Sequence, residues 1–469
     1  MTDRRTFLAG ATLVPLAGCA SVPLSTPGPP GGRFGLDDLA RRTFDWFWDL
    51  ADPRTGLVPD RWPTPSFASI AAVGFALPAY AYGVERGWVS RDAARVRTLT
   101  TLHFFAAAPQ GDAAVGKTGY RGFFYHFLDM KTGARFETTE LSSIDTALLL
   151  GGVLFAAEYF AGTDPAETEI RRLAGLLVDR VDWRWMLGAG PFVSMGWHPE
   201  KGFIPHAWDS YNEAMLLNLL AIANESHSID AGLWPRLTAR FDRAWGSHWG
   251  ETHLHFPPLF GHQYSHVWVD FRGIRDEYMR GRGIDYFENS VRATRAQRNY
   301  AITNPGGWTG YGGDAWGLTA CDGPGDFKAQ VAGREREFFS YSARGPGDRD
   351  DGTIAPTAAA ASIAFAPTLV LPTLAAMHRT YGRAIYGRYG FFDAFNPTLR
   401  EPAGITLRHG RIVDGLCWVD TDYLGIDQGP IIAMIANHRD DFVWSYMRRS
   451  ATLRRGLERA GFRGGWLER

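Results

Sequence analysis

Two stretches of the chain each place an acidic residue three positions after a serine, directly before a long apolar run. They are TTELSSIDTALLLGG at residues 138–152 and WDSYNEAMLLNLLAIA at residues 208–223. In each stretch the serine and the acid match a capping box, in which the acid hydrogen-bonds a backbone N–H at the start of a helix. Capping therefore competes with chemistry as the explanation of Asp145 and Glu213. Glu140 precedes the serines, so no capping role explains it.

Helical periodicity extends along most of the chain and determines where these acids can meet. Apolar residues recur at three- and four-residue spacing, or fill whole segments, in the stretches that we predict to be helices. These are residues 36–51, 66–86, 90–108, 141–161, 165–181, 209–224, 230–245, 285–301, 356–379 and 426–438. Helices that are apolar nearly all round should be buried, and amphipathic helices should cover them.

Long loops rich in glycine, tryptophan and proline separate these helices. They lie at residues 183–208, 247–270 and 303–353. Loops of this length inside a compact domain are usually functional. The pairing of inner and outer helices predicts an all-α fold, an α/α barrel, as a single domain over residues 35–469. The inner helices of such a barrel point their N-termini at one mouth, and the long loops form its cleft.

Two acids at the floor of one cleft are what the hydrolysis of a glycosidic bond requires. If both helices that follow the serines are inner ones, Asp145 and Glu213 lie at the same end of the barrel. One carboxylic acid then protonates the leaving oxygen, while a carboxylate activates water or attacks the sugar directly. Residue types and spacing leave both helix capping and this chemistry open.

Composition narrows the class of ligand. The formal net charge is −1 over 469 residues, so the chain has no excess of basic residues for binding a nucleic acid. Aromatic residues make up 14% of the chain and include 17 tryptophans. Most of these rings should be core, because aromatic side chains bury large areas. A surplus in loops suits a ligand with flat apolar faces, such as a sugar ring.

The first residues resemble an export signal rather than part of the fold. Arg4 and Arg5 precede Thr-Phe-Leu, as in a twin-arginine signal, and the apolar run that follows is too short to span a bilayer permanently. The run ends in Leu-Ala-Gly-Cys, which resembles a bacterial lipobox with Cys19 as the lipidated residue. We predict a cleaved signal peptide over residues 1–18 and a lipid-anchored tether over residues 19–34. The expected location is the periplasm of a Gram-negative bacterium, at the outer membrane.

Cysteine usage adds little to this interpretation. An ordinary secretion signal with a chance cysteine is the alternative to lipidation. Besides Cys19, the chain contains Cys321 and Cys417, which are enough for one disulfide but not for a disulfide framework.

A series of motifs carries a resemblance to a known family. Between residues 140 and 439 they are ELSSIDTALLLGG, WHPEKGF with WDSYNEAM, LFGHQYSHVWVDFRGIRDEY, DYFENSVRAT, WGLTACDGP, DGTIAPTAAAASIAFAP, YGFFDAFN and GIDQGPIIAMIANHR. The chain resembles the glycoamylase-like proteins of glycoside hydrolase family 144, the bacterial β-1,2-glucanases. It is also similar to the transglycosylating domain of cyclic β-1,2-glucan synthases. The resemblance implies an (α/α)6 barrel, no metal cofactor, and hydrolysis of β-1,2-glucan with inversion at the anomeric carbon.

The resemblance also implies roles for particular residues. Glu213 in YNEAM matches the glutamate expected to be the general acid, and Glu140 and Asp145 match other acids of the cleft. One of these two should order or deprotonate the attacking water, and we favour Glu140 because Asp145 has the capping role as well. Asp427 and Gln428 in GIDQGP match further substrate-binding positions.

Other candidates come from the loops. The histidines of THLHFPPLFGHQYSH fit no structural zinc spacing and lack a cysteine partner, so we predict no metal and no cofactor. We expect some of these imidazoles to bond sugar hydroxyls. Two tryptophans lie in GGWTGYGGDAWG, whose glycines would let a ring face the cleft. The further substrate-binding candidates are Asp351, Trp208, Tyr211, His262, Trp308 and Trp316.

We therefore expect a monomeric glycoside hydrolase that cleaves β-1,2-glucan into short oligosaccharides of the sophorose series, with endo action and inversion. Exo release of sophorose and retaining transglycosylation are alternatives within the same class. A non-catalytic glucan-binding lipoprotein is an alternative from another class, as is a polysaccharide lyase, which would need a Tyr/His or Arg centre. The expected partner is the polysaccharide, with no nucleic acid and with membrane contact only through the N-terminal lipid.

Overall fold

Apolar helices surrounded by amphipathic ones form a double ring in the computed structural model, which describes residues 34–331, 333–401 and 404–468. The helices are α1 (Leu36–Leu50), α2 (Ile70–Glu85), α3 (Arg91–Ala107), α4 (Ser143–Tyr159), α5 (Pro165–Asp179), α6 (Met215–Ala223), α7 (Leu233–Thr238), α8 (Phe260–Trp268), α9 (Glu277–Arg282), α10 (Tyr286–Thr303), α11 (Pro356–Ala360), α12 (Pro367–Ile385), α13 (Gly425–Asp440), α14 (Phe442–Met447) and α15 (Ala451–Arg459). The predicted signal peptide, Cys19 and nearly all of the predicted tether lie outside the described residues.

The inner ring consists of α2, α4, α6, α8, α11 and α13. Helix α2 packs against α4 and α13, α4 against α6, α6 against α8, and α11 against α13. Gln263 of α8 closes the ring, because its side-chain amide donates to the carbonyl oxygen of Ala358 and to the hydroxyl of Ser362. Helices α1, α3, α5, α15, α10 and α12 form the outer layer, each packed against an inner helix. The predicted barrel of inner and outer helices is therefore present.

Short strands fill the loops at the mouth of the barrel. They are β1 (Arg61–Trp62), β2 (Ala68–Ser69), β3 (Gly119–Tyr120), β4 (Phe123–Tyr125), β5 (Phe127–Leu128), β6 (Leu141–Ser142), β7 (Gly196–His198), β8 (Gly202–Phe203), β9 (Trp245–His248), β10 (Glu251–Leu254), β11 (Ala320–Cys321), β12 (Phe327–Val331), β13 (Arg334–Phe338), β14 (Ser342–Ala343), β15 (Tyr386–Gly387), β16 (Gly390–Phe391), β17 (Phe395–Asn396), β18 (Arg411–Val413), β19 (Cys417–Val419) and β20 (Tyr423–Leu424). The largest sheet has the antiparallel order β3-β4-β6-β7-β8. It ties the starts of the inner helices to the loops that precede them.

Several parts of the helix prediction are wrong. The predicted helix at 230–245 is one, because α7 ends at Thr238 and β9 begins at Trp245. The predicted helix at 356–379 is two helices, because Pro367 lacks an N–H and disfavours helical geometry at the residue before it. The predicted helix at 209–224 begins only at Met215. Helix α8 lies in the segment that was predicted to be a loop at 247–270.

The described part of the chain contains no disulfide and no membrane-spanning helix. Cys321 and Cys417 are both buried free thiols. None of the described helices is both long enough and apolar enough to cross a membrane.

Helices α2 and α4 approach each other closely because glycines lie at their contact. A Cβ atom added at Gly152 would be 2.1 Å from the carbonyl oxygen of Gly74, and one added at Gly74 would be 2.4 Å from the carbonyl oxygen of Leu148. These neighbours are backbone atoms, which cannot rotate away. The absence of side chains here therefore fixes the distance between two inner helices.

Substitution of Gly152 by alanine should destabilise the barrel by about 1–3 kcal/mol, the usual cost of overpacking a core. The matched control is Gly175→Ala, at an exposed position of α5 where an added Cβ would meet nothing within 4 Å. That control should stabilise the protein by about 0.4–1 kcal/mol, because alanine restricts the unfolded chain. Denaturant unfolding of the two variants measures both changes, and equal effects would contradict the close contact.

Candidate active site

A cleft of about 520 Å³ opens at the N-terminal ends of the inner helices. Glu213, Phe260 and Ile426 line it, and they lie at the starts of α6, α8 and α13. Further lining residues come from the loops and include His126, Phe192, Trp208, Arg240, Tyr341 and Asp348. The inner helices thus share one mouth, as the sequence predicts.

Glu213 lies on the cleft wall with 2% of its surface exposed. It precedes the first residue of α6, whose N-cap is Ala214 and has no side-chain cap, so the predicted capping box at Ser210 is wrong. The hydroxyl of Ser265 donates to the carbonyl oxygen of Glu213 at 2.6 Å and accepts from the backbone N–H of Leu216 at 2.9 Å. Ser265 therefore fixes the backbone of Glu213 against α8.

Strand pairing places Glu140 beside His126. Strands β4 and β6 pair with Tyr125 opposite Leu141, so the next pair in this register is His126 and Glu140. The backbone N–H of His126 donates to the carbonyl oxygen of Glu140 at 3.0 Å. The side chains meet as well, since Nδ1 of His126 lies 2.8 Å from Oε1 of Glu140.

Asp145 completes a line of polar groups with His126. Its Oδ2 lies 3.5 Å from Nε2 of His126 and accepts the hydroxyl of Ser142 at 2.5 Å. Ser142 is the N-cap of α4 and accepts the backbone N–H of Asp145, so the predicted cap at this helix is confirmed. Asp145 thus holds both the start of α4 and the ring of His126, which lines the cleft.

The imidazole of His126 determines the charge of Glu140. Burial by itself would raise the pKa of Glu140, but attraction to His126 and the hydrogen bond from it outweigh this effect. The net result is a pKa below the ordinary value, even though Asp145 opposes it by repulsion. Glu140 is therefore ionised at neutral pH.

A second group of acids lies near the starts of α2 and α13. Asp322, Asp393 and Asp420 bring carboxylate oxygens within 4.8 Å of one another, and all three are buried. Arg61 supplies positive charge, with Nη1 2.6 Å from Oδ2 of Asp322. Burial and repulsion from Asp322 raise the pKa of Asp393 to about 7, and burial raises the pKa of Asp420 well above its ordinary value. The pKa values of Asp393 and Asp420 are therefore shifted in the opposite direction from that of Glu140.

Neither group requires a metal to explain its geometry. Both ring nitrogens of His126 face carboxylates, so the imidazole has no lone pair directed at an ion. In the other group the guanidinium of Arg61 occupies one oxygen of Asp322, and the N–H of Asp322 occupies one oxygen of Asp393. The absence of a metal stays a prediction.

Comparison with known proteins identifies the family. The family model Glycoamylase, described as "Putative glucoamylase", matches residues 205–451, which is more than half of the chain. The chain belongs to the glycoamylase family. The matched region contains Glu213 and all of the helices from α6 to α14.

Two proteins to which this chain is similar are named for activity on β-1,2-linked glucans or glucooligosaccharides. A Parabacteroides distasonis protein named exo β-1,2-glucooligosaccharide sophorohydrolase (non-reducing end) is 27% identical over 456 residues, covering 90% of this chain. The match spans 57% of that relative's own length. The structure of a Chitinophaga pinensis endo-β-1,2-glucanase with sophorotriose and glucose has a TM-score of 0.75 and 25% identity, and the match covers 92% of this chain and 100% of that one.

The fold prediction is confirmed by such structures. A Bacteroides uniformis protein described as a "putative glucoamylase" has a TM-score of 0.78 and 29% identity, and the match covers 93% of this chain and 100% of that one. The glycoamylase family thus shares the α/α barrel that helical periodicity predicts, in the (α/α)6 form that the resemblance implies.

Some predicted substrate-binding residues lie at or beside the cleft. Trp208 lines it, and its indole N–H donates to the hydroxyl of Ser143 at the start of α4. Asp427 and Gln428 follow the cleft-lining Ile426 in the first turn of α13. The side-chain amide of Gln428 donates to the carbonyl oxygen of Phe391, so its amide is held by the protein.

Other predicted residues lie in the core instead. Trp316 is fully buried and its indole N–H donates to the hydroxyl of Thr373, so the prediction that its ring faces the cleft is wrong. The indole N–H of Trp308 donates to Asp350, and Arg336 covers its ring at 4.0 Å. Both indole rings are therefore buried, even though glycines flank them in the sequence.

Tyr211, His262 and Asp351 are also behind the cleft wall. The hydroxyl of Tyr211 lies 3.0 Å from Nδ1 of His262, and both residues are buried. Asp351 is fully buried and pairs through both carboxylate oxygens with the guanidinium of Arg344. These three side chains support the residues of the wall rather than form its surface.

Sequence reasoning missed His126, the residue that joins Glu140 to Asp145. It follows the aromatic run Phe-Phe-Tyr in GFFYHFLD, where a histidine directly after a buried strand was the available signal. It also missed Arg240, which lines the cleft and pairs with Asp209 at 2.8 Å. Both depend on loops that the helical pattern does not describe.

Substitution of Asp351 by asparagine should lower stability by about 3–5 kcal/mol, because it leaves the buried guanidinium of Arg344 without its counter-ion. The matched control is Asp348→Asn, at the partly exposed aspartate that lines the cleft. That change should alter the free energy of unfolding by less than about 0.5 kcal/mol. Chemical denaturation measures the free energy of unfolding of both variants. If Asp351→Asn is as stable as wild type, the structural role of Asp351 is contradicted and a substrate-binding role is again the better explanation.

Proposed function

We propose that the chain hydrolyses β-1,2-glucan by general acid/base catalysis. The observation that carries the proposal is that one glycoamylase-family barrel places Glu213 on the wall of the cleft and an ionised Glu140 against His126, which lines the same cleft. Glycosidic hydrolysis needs one carboxyl to donate a proton and another to accept one. The named β-1,2-glucanase and sophorohydrolase relatives support the choice of linkage.

Each carboxyl has a distinct role in the proposed reaction. Glu213 donates its proton to the leaving glycosidic oxygen as the bond to the anomeric carbon breaks. Glu140 accepts a proton from the water whose oxygen attacks that carbon from the other face. We place Asp145 behind this step, because it is fully buried and contacts His126 and Ser142. Direct attack by water gives inversion at the anomeric carbon.

We propose endo action with oligosaccharides of the sophorose series as products. Exo release of sophorose is the second candidate, and the name of the Parabacteroides distasonis relative favours it. The time course of product sizes separates them, since endo cleavage gives mixed lengths early and exo cleavage gives sophorose throughout. Proton NMR of the first products tests inversion, and a β-anomer would indicate a retaining transglycosylase instead.

We also propose that the protein is a monomeric periplasmic lipoprotein attached to the outer membrane through Cys19. The support is the sequence of the first residues, in which a lipobox-like Leu-Ala-Gly-Cys ends a short apolar run. A non-catalytic glucan-binding lipoprotein would share this anchor, so activity has to be measured directly.

Substitution of Glu213 by glutamine should reduce kcat on linear β-1,2-glucan by about 10²–10⁴-fold, the usual contribution of a general acid. Chromatography of the products measures the loss, with β-1,3- and β-1,4-glucans as substrate controls. The matched variant is Glu225→Gln, at an exposed glutamate just beyond the other end of α6. It should leave kcat unchanged.

Three results would contradict the proposed function. A folded wild-type protein that cleaves none of these glucans would leave the binding lipoprotein as the remaining hypothesis. Equal activity of Glu213→Gln and wild type would show that Glu213 is not the general acid, while the assignment of β-1,2-glucan as the substrate would stand. Unsaturated products that absorb in the ultraviolet would indicate a lyase.

Substitution of Cys19 by serine should release the protein from the membrane fraction of the producing bacterium. Lipidation at this cysteine supplies the expected anchor, so loss of the thiol removes it. Fractionation followed by immunoblotting measures the distribution, and Cys417→Ser, at a buried thiol of the barrel, serves as the control. A soluble wild-type protein would contradict the lipobox interpretation.

A further inference from the structure

The imidazole of His126 lies between two carboxylates that belong to different elements. Nδ1 is 2.8 Å from Oε1 of Glu140 at the entry to β6, and Nε2 is 3.5 Å from Oδ2 of Asp145 in α4. His126 itself lines the cleft, with 3% of its side chain exposed. The ring therefore separates the cleft from the start of an inner helix.

The direction of the hydrogen bonds follows from the groups at each end. The hydroxyl of Ser142 accepts the N–H of Asp145 and donates to Oδ2 of the same residue. An ionised carboxylate only accepts, so Nδ1 of His126 donates to Oε1 of Glu140, while Nε2 lies 3.5 Å from Oδ2 of Asp145. A proton on Nδ1 leaves no lone pair on that nitrogen, so His126 cannot take a proton from the attacking water through it.

Other titratable or charged groups near Glu140 do not take the place of His126. His198 on β7 interacts with Glu140, but burial lowers the pKa of His198 and favours its neutral form. Arg135 is already paired with Glu200 at 2.6 Å, so its charge is matched. His126 is therefore the residue among these that places a ring nitrogen within hydrogen-bond distance of the Glu140 carboxylate.

We propose that His126 is a positioning residue that keeps Glu140 ionised and holds its carboxylate toward the attacking water. This inference rests on the proposed hydrolysis of β-1,2-glucan and adds the reason why Glu140, rather than Asp145, accepts the proton. Oε1 of Glu140 is fixed by the imidazole, while 17% of the Glu140 side chain stays exposed for contact with water. Asp145 and Ser142 fix the other side of the ring.

The test is the pH dependence of kcat/KM for wild type and His126→Asn. Asparagine places an amide N–H near the position of Nδ1 but carries no charge, so it separates the hydrogen bond from the ion pair. Loss of an opposite charge at this distance should move the acid limb of the profile upward by about 1–3 pH units. Activity at alkaline pH should fall much less than activity at acid pH.

The matched control is His378→Asn, at a buried histidine of α12 that contacts Phe34 and Tyr386. Its acid limb should coincide with that of wild type. An unshifted acid limb in His126→Asn, with or without a lower kcat, would overturn the positioning role and leave His126 as a packing residue.

A second measurement decides the case in which His126→Asn has no activity. Thermal unfolding of wild type, His126→Asn, Glu140→Gln and the double variant between about pH 4 and pH 8 gives the coupling between the two residues. Because the folded-state pKa of Glu140 is lowered, its stabilising ion pair is present above the unfolded pKa and lost as pH falls through the folded pKa.

Coupling at neutral pH that disappears at acid pH would support the proposal, and additive effects at every pH would overturn it. This stability cycle needs no substrate. Failure of wild type to cleave β-1,2-glucan would therefore remove the proposed function, while the cycle would still decide whether His126 sets the charge of Glu140.

Discussion

The inner helices of the barrel are enclosed on every side, and this constraint decides where its chemistry lies. In α2, α4 and α13 almost every residue is buried, so a polar group midway along them would lie far from water. Burying an unpaired polar or charged group is costly. Polar side chains are consequently concentrated where these helices begin, because free backbone N–H groups, loops and the cleft meet there. Gly74 and Gly152 add to the constraint by letting two of the helices nearly touch.

The inner helices α4 and α6 are held in different ways at the ends that face the cleft. Ser142 caps α4 and also bonds Asp145, whereas α6 has no side-chain cap and is held by Ser265 from the next inner helix. The two acids that the sequence presents in matching patterns therefore have different surroundings. Asp145 is bound into a helix start, and the carboxyl of Glu213 is carried by a segment that precedes its helix. Similar motifs thus produce one supporting acid and one acid at the cleft.

Helical periodicity predicts the long elements of this fold and the common mouth, because each inner helix shows its burial in a continuous apolar run. It does not predict strands such as β4 and β6, which contain three and two residues and depend on partners far along the chain. The contact of His126 with Glu140 is a product of that pairing and could not be read from spacing. The prediction for Trp316 was wrong for a related reason. Its neighbouring glycines can be seen in the sequence, but its hydrogen bond to Thr373 cannot.

The number of cations near each group of acids decides which carboxyls hold a proton. On one wall His126 lies between Glu140 and Asp145, and the pKa of Glu140 is lowered. In the group near α2 and α13, Arg61 faces several buried aspartates, and the pKa values of Asp393 and Asp420 are raised. Burial acts in the same direction in both groups, so the difference comes from how much positive charge each acid receives. One barrel can in this way shift the pKa values of its buried carboxyls in opposite directions, and the proposed mechanism asks for the same kind of difference between Glu213 and Glu140.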